Sequence, residues 1–148
     1  MNTQLCLLAG AMLAAGLTFA AEKPVKLSDL PPAVQKAIEA QTKGAEIKGF
    51  STETEKGKTF YEAETRLNGH GRDLLFDKTG TLVEVEEETA LDAIPAPARS
   101  AIEKKAANGR VLKVEMVTSG SKVSYEAEIE KNGKKSEFAV KSDGTASK

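Results

Sequence analysis

Hydrophobic and polar residues alternate strictly in the stretch KVSYEAEIEK, residues 122–131. Every second residue there is apolar, namely Val123, Tyr125, Ala127 and Ile129. The residues between them are serine or glutamate, so the pattern predicts a strand with one apolar and one polar side. The Asn132-Gly133 pair that follows is a strong signal for a type I′ hairpin turn, and a return strand through Phe138 and Val140 is expected after it.

A helical pattern precedes the strands, in the stretch SDLPPAVQKAIEAQTKG, residues 28–44. Ser28 and Asp29 are capping candidates, prolines follow in the first turn, and Gly44 is a stop signal. The predicted inner face has helical spacing and consists of Val34, Ala37, Ile38 and Gln41. A second helix repeats it with Ala98, Ala101, Ile102 and Lys105. Both faces are narrow and weakly apolar, so each helix is expected to lie on a sheet.

The tetrapeptide YEAE occurs at Tyr61–Glu64 and again at Tyr125–Glu128, 64 residues later. At this offset, fifteen of the 58 positions between Leu27 and Glu84 are identical without a gap. The identical positions include an AIE segment in each helix, an Asn-Gly turn and a Gly-Thr turn. The period has the size of a small domain, so it indicates a tandem duplication rather than a solenoid.

The two copies predict an α+β fold of two tandem units. Each unit is expected to contain one helix packed on an antiparallel β-meander of three to four strands. The units are assigned to residues 21–88 and 89–148, and the second copy is shortened because it lacks an equivalent of the segment LVEVEEE. A unit of this size without disulfides has a small core, so the two units are expected to pack against each other. They would do so either as two separate sheets or by sharing one sheet.

Residues 1–20 are predicted to be a secretory signal peptide. Their uncharged run from Leu5 to Ala20 is shorter than the roughly 20 residues of a membrane span, and Thr18-Phe19-Ala20 fits a cleavage site. The single cysteine, Cys6, lies in this segment, so the mature chain is expected to form no disulfide and no thiolate site. We therefore expect a periplasmic or secreted monomer with no membrane association after cleavage.

The charge balance excludes several function classes. The chain has 21 basic and 22 acidic residues, without a basic patch interleaved with aromatics, so binding to nucleic acid is not expected.

His70 is the single histidine, and it lies in the turn NGHGRD, which argues against a transition-metal site. Asp73, Asp77 and the segment Glu84–Glu88 could gather around a hard cation, but their spacing is not that of an EF-hand. No metal and no cofactor are predicted.

The motif order resembles that of the PepSY-like proteins, secreted bacterial domains grouped with the β-lactamase-inhibitor-protein fold. The shared features are two LP…V…AI helices, the YE-E strands and the segment LLFD-TGTLVEVEEE. The best-matched stretches are Leu30–Ile38, Phe60–Glu64 and Leu74–Glu88, and the second copy departs by having VKSDG in place of FDKTG. The resemblance implies helix-on-sheet units and a non-enzymatic role in binding or inhibiting secreted enzymes, or in accompanying protease propeptides.

Two pairs of carboxylates are candidate functional groups. Glu62 and Glu64 lie two residues apart on the polar side of a strand, about 7 Å from each other, and Glu126 and Glu128 repeat the arrangement. Paired-carboxylate catalysis would require burial of one acid in a cleft, and nothing in the sequence indicates such burial. The pattern predicts a solvated charged face, with partner recognition as the functional alternative.

Phe60 interrupts the polar side of the same strand. It is expected to point with Glu62 and Glu64, whereas its counterpart in the second copy is Ser124. An aromatic side chain among charges could anchor an interface, or it could pack against the other unit or a loop edge. Arg66 follows on the same side, within reach of cross-strand acids. The predicted partner-binding set is Phe60, Glu62, Glu64, Arg66, Glu126 and Glu128.

The leading functional hypothesis is an exported, non-enzymatic protein-binding module that engages a secreted or periplasmic protein, which it would inhibit or modulate. One alternative is a structural or stress-related accessory protein of the envelope without a dedicated enzyme target. Another is a carrier of a small ligand or cation between helix and sheet. An enzyme is not expected, because the sequence shows no nucleophile, phosphate loop or cofactor motif.

Overall fold

Eight strands and two helices make up the protein in the computed structural model, which describes residues 23–55 and 57–147. The strands are β1 (Lys23–Pro24), β2 (Glu46–Glu55), β3 (Lys58–Leu67), β4 (His70–Phe76), β5 (Leu82–Glu88), β6 (Arg110–Ser119), β7 (Lys122–Lys131) and β8 (Lys134–Lys141). The helices are α1 (Pro32–Gln41) and α2 (Ala96–Lys105), and a short 3-10 turn at Leu27–Asp29 precedes α1.

All eight strands form one antiparallel sheet in which the spatial order follows the chain order. The prediction of two tandem helix-and-meander units is therefore wrong. β5 pairs with β6 from Val85↔Thr118 to Glu88↔Glu115, which makes the sheet continuous, and it curves into a half-barrel. Two separate meanders would have left the backbone groups along β5 and β6 without partners, and pairing these two edges satisfies them.

Both helices pack on the same face of this sheet, here called the helix face. Their buried positions are those expected from helical spacing, Val34 and Ile38 in α1 and Ala98 and Ile102 in α2. Ser28 and Asp29 do not cap α1, because they lie in the preceding 3-10 turn and the helix begins after Pro31. A proline at this point has its φ fixed near the helical value, which favours a helix start without a side-chain cap.

The hydrophobic core lies between the helices and the sheet. α1 contacts a cluster that includes Ala63, Leu74 and Phe76, and all three are completely buried. α2 contacts a second cluster that includes Ala127, Ile129 and Val140. Tyr61 packs against the first cluster and Tyr125 against the second.

The hairpin turns agree with the sequence pattern. Asn68 and Gly69 have φ values of 52° and 87°, and Asn132 and Gly133 have 51° and 73°. Positive φ at both central positions is the requirement of a type I′ turn, which matches the twist of the flanking strands. The β2–β3 and β6–β7 pairs also share a bulge near their outer ends, at Ile47/Gly49 and at Val111/Lys113.

Two sequence predictions concern features that this fold does not test. The signal peptide, residues 1–20, lies outside the described residues. The assignment of residues 21–88 and 89–148 as domains stays a prediction. Neither helix in the described part of the chain combines the length and the apolar character needed to cross a bilayer.

We expect the whole sheet to unfold in one transition, because β5 and β6 join the part packed under α1 to the part packed under α2. The chain has two tyrosines and no tryptophan, so Tyr61→Phe and Tyr125→Phe each leave one fluorescent reporter. Urea denaturation of both variants, followed by tyrosine fluorescence and by far-UV circular dichroism, should give coincident midpoints once each variant is referenced to its own circular dichroism curve. Separate fluorescence and circular dichroism midpoints in either variant would show that the two parts unfold independently.

Candidate functional site

The sheet face opposite the helices carries the candidate site and is called the open face here. On β3, β4 and β5, the buried residues Ala63, Leu74 and the partly buried Val85 point to the helix face. Because successive side chains alternate, the residues adjacent to them point to the open face. This alternation places Glu62 on the open face, and it places Asp73 and Glu86 there as cross-strand neighbours.

Five consecutive strands each contribute at least one acidic side chain to the open face, and one from each lies in a line across the sheet. We call this set the carboxylate row, and it consists of Glu62 of β3, Asp73 of β4, Glu86 of β5, Glu115 of β6 and Glu126 of β7. Glu115 lies directly opposite Glu126 and beside Glu88. The row crosses the β5–β6 junction, so it exists only because the sheet is continuous.

Three members of the row lie in close contact. One carboxylate oxygen from each of Glu62, Asp73 and Glu86 lies within 4.8 Å of the other two. Each is oriented by the backbone register or by a hydrogen bond. Ser51 Oγ donates to Glu62 Oε2 at 2.7 Å, and the Thr65 backbone N–H donates to Asp73 Oδ1 at 3.0 Å. Carboxylates this close can share a proton, hold a cation or accept from an ammonium group.

Burial and mutual repulsion change the acidity of the row. Burial, reinforced by the charges of Glu115, Glu126, Glu62 and Glu84, raises the pKa of Glu86 to about 9. Burial, followed by the charges of Glu137 and Glu115, raises the pKa of Glu126 to about 7. Burial also raises the pKa of Asp73, more than its hydrogen bond from Thr65 lowers it. At neutral pH, Glu86 therefore holds a proton.

A lysine side chain is inserted beside the row. Lys113 Nζ lies 2.8 Å from Glu115 Oε1, and the side chain of Glu115 is only 7% exposed. Burial lowers the pKa of Lys113, but the hydrogen bond to Glu115 and the charges of Glu115, Asp73 and Glu86 outweigh it, so the pKa is raised overall. An ammonium group is thus stabilised in its charged form at this place.

Apolar side chains also lie on the open face, next to the carboxylates. Leu75 is the cross-strand neighbour of both Glu62 and Glu84, and the buried Val117 is the neighbour of Glu86. These side chains replace water around the acids. The expectation of a fully solvated charged face is therefore not met in the centre of the sheet, and the pKa increases follow from this burial.

The six residues predicted from the sequence occupy different parts of the open face. Glu62 and Glu126 belong to the carboxylate row, and both act on the pKa of Glu86. Glu128 is outside the row, and its Oε1 forms an ion pair with Lys135 Nζ at 2.7 Å. Glu64 lies over Gly49, where an added Cβ would come within 3.3 Å of Glu64 Oε1.

Arg66 and Phe60 lie on the same strand as Glu62 and Glu64. The Arg66 Nε donates to the carbonyl oxygen of Gly69 at 2.9 Å, so this side chain contacts its own hairpin turn. Phe60 is half-buried and pairs with Glu53 of β2. A partner-binding role for any of the six residues stays a prediction.

Sequence reasoning named Asp73 and the segment Glu84–Glu88 as acids that could gather, and the structure brings Asp73 and Glu86 together with Glu62, but the sequence did not single out Glu86 or Glu115. Glu86 stands in the sequence only as part of a diffuse acidic segment, and no motif marks Glu115. The signal in the sequence was the alternation of side chains in VEVEEE, which places Glu86 on the same side of its strand as Glu84 and Glu88. Placing these acids beside those of β6 requires the β5–β6 register. That register joins strands separated by the whole of α2.

Solved structures share the fold. A protein described as periplasmic, from Bacteroides eggerthii, superposes with a TM-score of 0.61 at 20% identity over 79% of this chain and 85% of its own. A DUF2874 family protein from Bacteroides ovatus gives 0.58 at 20% identity, over 80% and 85%. A BLIP-like protein from Bacteroides fragilis gives 0.53 at 20% identity, over 80% and 84%.

These similarities establish a BLIP-like fold for the chain. The periplasmic description of the first neighbour agrees with the location expected from the sequence. No protein-family model and no curated protein matches the chain. Membership of the PepSY-like family and the tandem duplication therefore stay predictions.

Proposed function

We propose that the protein is a periplasmic or secreted module without catalytic activity of its own, which binds another protein through the open face of its sheet. The observation that carries this proposal is the asymmetry of the two faces. Both helices cover the helix face, whereas the open face presents partly buried carboxylates beside the half-buried Phe60 and Leu75. Half-buried aromatic and aliphatic side chains on a face that no helix covers offer the apolar contacts that protein interfaces use.

The similarity to a BLIP-like structure supports a protein partner, and the resemblance to PepSY-like proteins supports a secreted enzyme as that partner. Inhibition or modulation of the enzyme would follow from occupation of its substrate site by part of the open face. The accessory role in the envelope differs from this proposal because it requires no dedicated enzyme target.

The proposal is tested by affinity capture from a periplasmic extract of the source organism, with the mature protein immobilised. We expect one specific protein to be retained and to be lost with the double variant Phe60→Ala plus Glu64→Lys. This variant removes an aromatic contact and reverses one charge on the open face, which together should weaken a typical interface by at least about 2 kcal/mol. Mass spectrometry identifies the retained protein.

A matched variant controls for charge and for loss of apolar surface. Val123→Ala plus Glu39→Lys makes comparable changes at an exposed residue of β7 and on α1, away from the open face. This control variant should retain the same amount of the partner as the unchanged protein. Equal loss with both double variants, or retention of no specific protein, would contradict binding through the open face.

A further inference from the structure

Each of the three Asn-Gly pairs in the sequence has its asparagine in the left-handed backbone region. The φ values are 52° for Asn68, 64° for Asn108 and 51° for Asn132. All three pairs are exposed. In such a pair the backbone nitrogen of the glycine can reach the amide carbon of the asparagine side chain with little hindrance, because glycine has no side chain. The three pairs therefore carry the same reactive groups in different backbone surroundings.

Two of the pairs form hairpin turns. Asn68-Gly69 joins β3 to β4, and Asn132-Gly133 joins β7 to β8. Neither glycine N–H donates a hydrogen bond to another described residue. A Cβ added to either glycine would meet no atom within 4 Å apart from its chain neighbours. The nitrogen that would attack is therefore not held by a hydrogen bond, and the backbone around it is not crowded.

The third pair, Asn108-Gly109, connects α2 to β6 and is held in two ways. The Gly109 N–H donates to the carbonyl oxygen of Ala106 at 2.6 Å. A Cβ added to Gly109 would lie 2.5 Å from the carbonyl oxygen of Glu130, so this backbone lies against β7. Loss of one backbone hydrogen bond alone slows a reaction that requires it by about fivefold. The contact with β7 adds to this protection, because the nitrogen cannot turn towards the asparagine while the backbone stays in place.

We propose that Asn68 and Asn132 are sites of spontaneous deamidation in the folded protein and that Asn108 is protected from it. The glycine nitrogen loses its proton and bonds to Cγ of the asparagine. The bond from Cγ to the side-chain nitrogen breaks, and this nitrogen leaves as ammonia. Water then opens the resulting cyclic imide at one of its two carbonyl groups, which gives aspartate or isoaspartate. The turn has to open for ring closure, and an exposed hairpin turn opens without unfolding of the sheet.

The two products have different effects on the hairpins. Asp-Gly satisfies the same type I′ turn as Asn-Gly, so aspartate preserves the turn. Isoaspartate leads the main chain through its side-chain carbon, and the added carbon atom removes the two-residue geometry. At Asn132 this change affects the turn that connects β7 to β8, the edge strand of the sheet. Isoaspartate at this position should therefore loosen β8, which contributes Val140 to the core under α2.

Incubation of the mature protein near pH 8, in buffer and in parallel in urea, tests the proposal. Digestion at acidic pH followed by mass spectrometry measures the acid formed at each of the three asparagines. In buffer we expect Asn68 and Asn132 to react at least about fivefold faster than Asn108. In urea the three rates should converge, because the unfolded chain lacks the Gly109 hydrogen bond. The ratio of the two rates at each site removes the effect of the neighbouring sequence.

Two results in buffer would overturn the proposal. One is reaction of Asn108 as fast as that of the hairpin asparagines. The other is no reaction at Asn68 and Asn132 under conditions in which urea allows it.

The expected effect on β8 has its own control, the variant Asn132→Asp, which carries the charge of the product without the extra carbon atom in the main chain. This variant should melt close to the unchanged protein. Protein with isoaspartate at position 132, separated from the unchanged protein by ion exchange, should melt at a lower temperature. Equal melting of the variant and the isoaspartate form would show that the hairpin does not depend on its two-residue turn.

Discussion

Replacement of Gly80 by alanine is expected to lower the free energy of unfolding by roughly 2–5 kcal/mol. Gly80 lies in the turn between β4 and β5 and has a φ of +82°. An added Cβ would lie 2.5 Å from the backbone oxygen of Ala33 in the first turn of α1. The loss combines the conformational cost of an L-residue at positive φ with displacement of α1 from the sheet.

Gly69→Ala is the matched control, because Gly69 has a φ of +87° but an added Cβ would meet open space. Apart from its own chain neighbours, no atom of the described residues lies within 4 Å of the place that this Cβ would occupy. The variant carries only the conformational cost, about 1–2 kcal/mol. The difference between the two urea-denaturation free energies therefore measures the close contact between the turn and α1. Equal losses for Gly80→Ala and Gly69→Ala would show that α1 does not depend on this contact.

The turn that contains Gly80 also positions β5, the strand that carries Glu86. Asp77 accepts hydrogen bonds from the backbone N–H groups of Thr79 and Thr81 at 2.8 and 3.1 Å, which fixes the turn before β5 begins at Leu82. A shift of this turn would move the register of β5 against β4. The pairing of Asp73 with Glu86 would then be lost, so helix packing and the geometry of the carboxylate row are linked through one turn.

The parts of the fold that were predictable from sequence depend on local signals. Alternation along β7, the Asn132-Gly133 turn and the helical spacing of Val34 and Ile38 each involve residues close in the chain. The continuous sheet depends instead on pairing between residues that are far apart in the chain. Val85 and Thr118 pair although 33 residues separate them, and nothing within either strand indicates which other strand satisfies its outer edge.

The arrangement of the five acids in one row was missed for the same reason, although four of them lie in candidates that the sequence offered. In each strand considered alone, an acid at an alternate position is typical of a solvated surface. Burial arises only when five such strands lie side by side and Leu75 and Val117 contribute apolar surface between the acids. The candidate site is therefore a property of the sheet rather than of any motif, whereas Phe60 and Glu62 were detectable because they lie in one strand.

The stability of the protein should fall as pH rises from 5 to 9. The pKa of Glu86 is about 9 in the folded chain, against an ordinary value of 4.5. Between these values the folded chain binds a proton that the unfolded chain has released, so each increase in pH favours unfolding. Glu126, with a pKa of about 7, adds to the fall in the lower part of the range. We expect a total on the order of 2–3 kcal/mol, since water relaxation at the open face reduces the effect of the full shift.

Glu86→Gln should remove most of this dependence and should stabilise the protein at pH 8, because the glutamine needs no proton to remain neutral. Glu87→Gln is the control on the same strand, where the side chain points to the helix face and lies 3.3 Å from Arg72 in a partly exposed ion pair. Loss of such a pair costs about 0–1 kcal/mol and should leave the slope of stability against pH unchanged. Thermal denaturation of the unchanged protein, Glu86→Gln and Glu87→Gln at pH 5, 7 and 9 measures how the stability of each depends on pH. A melting temperature of the unchanged protein that rises with pH over this range would contradict a raised pKa of Glu86 in the folded chain.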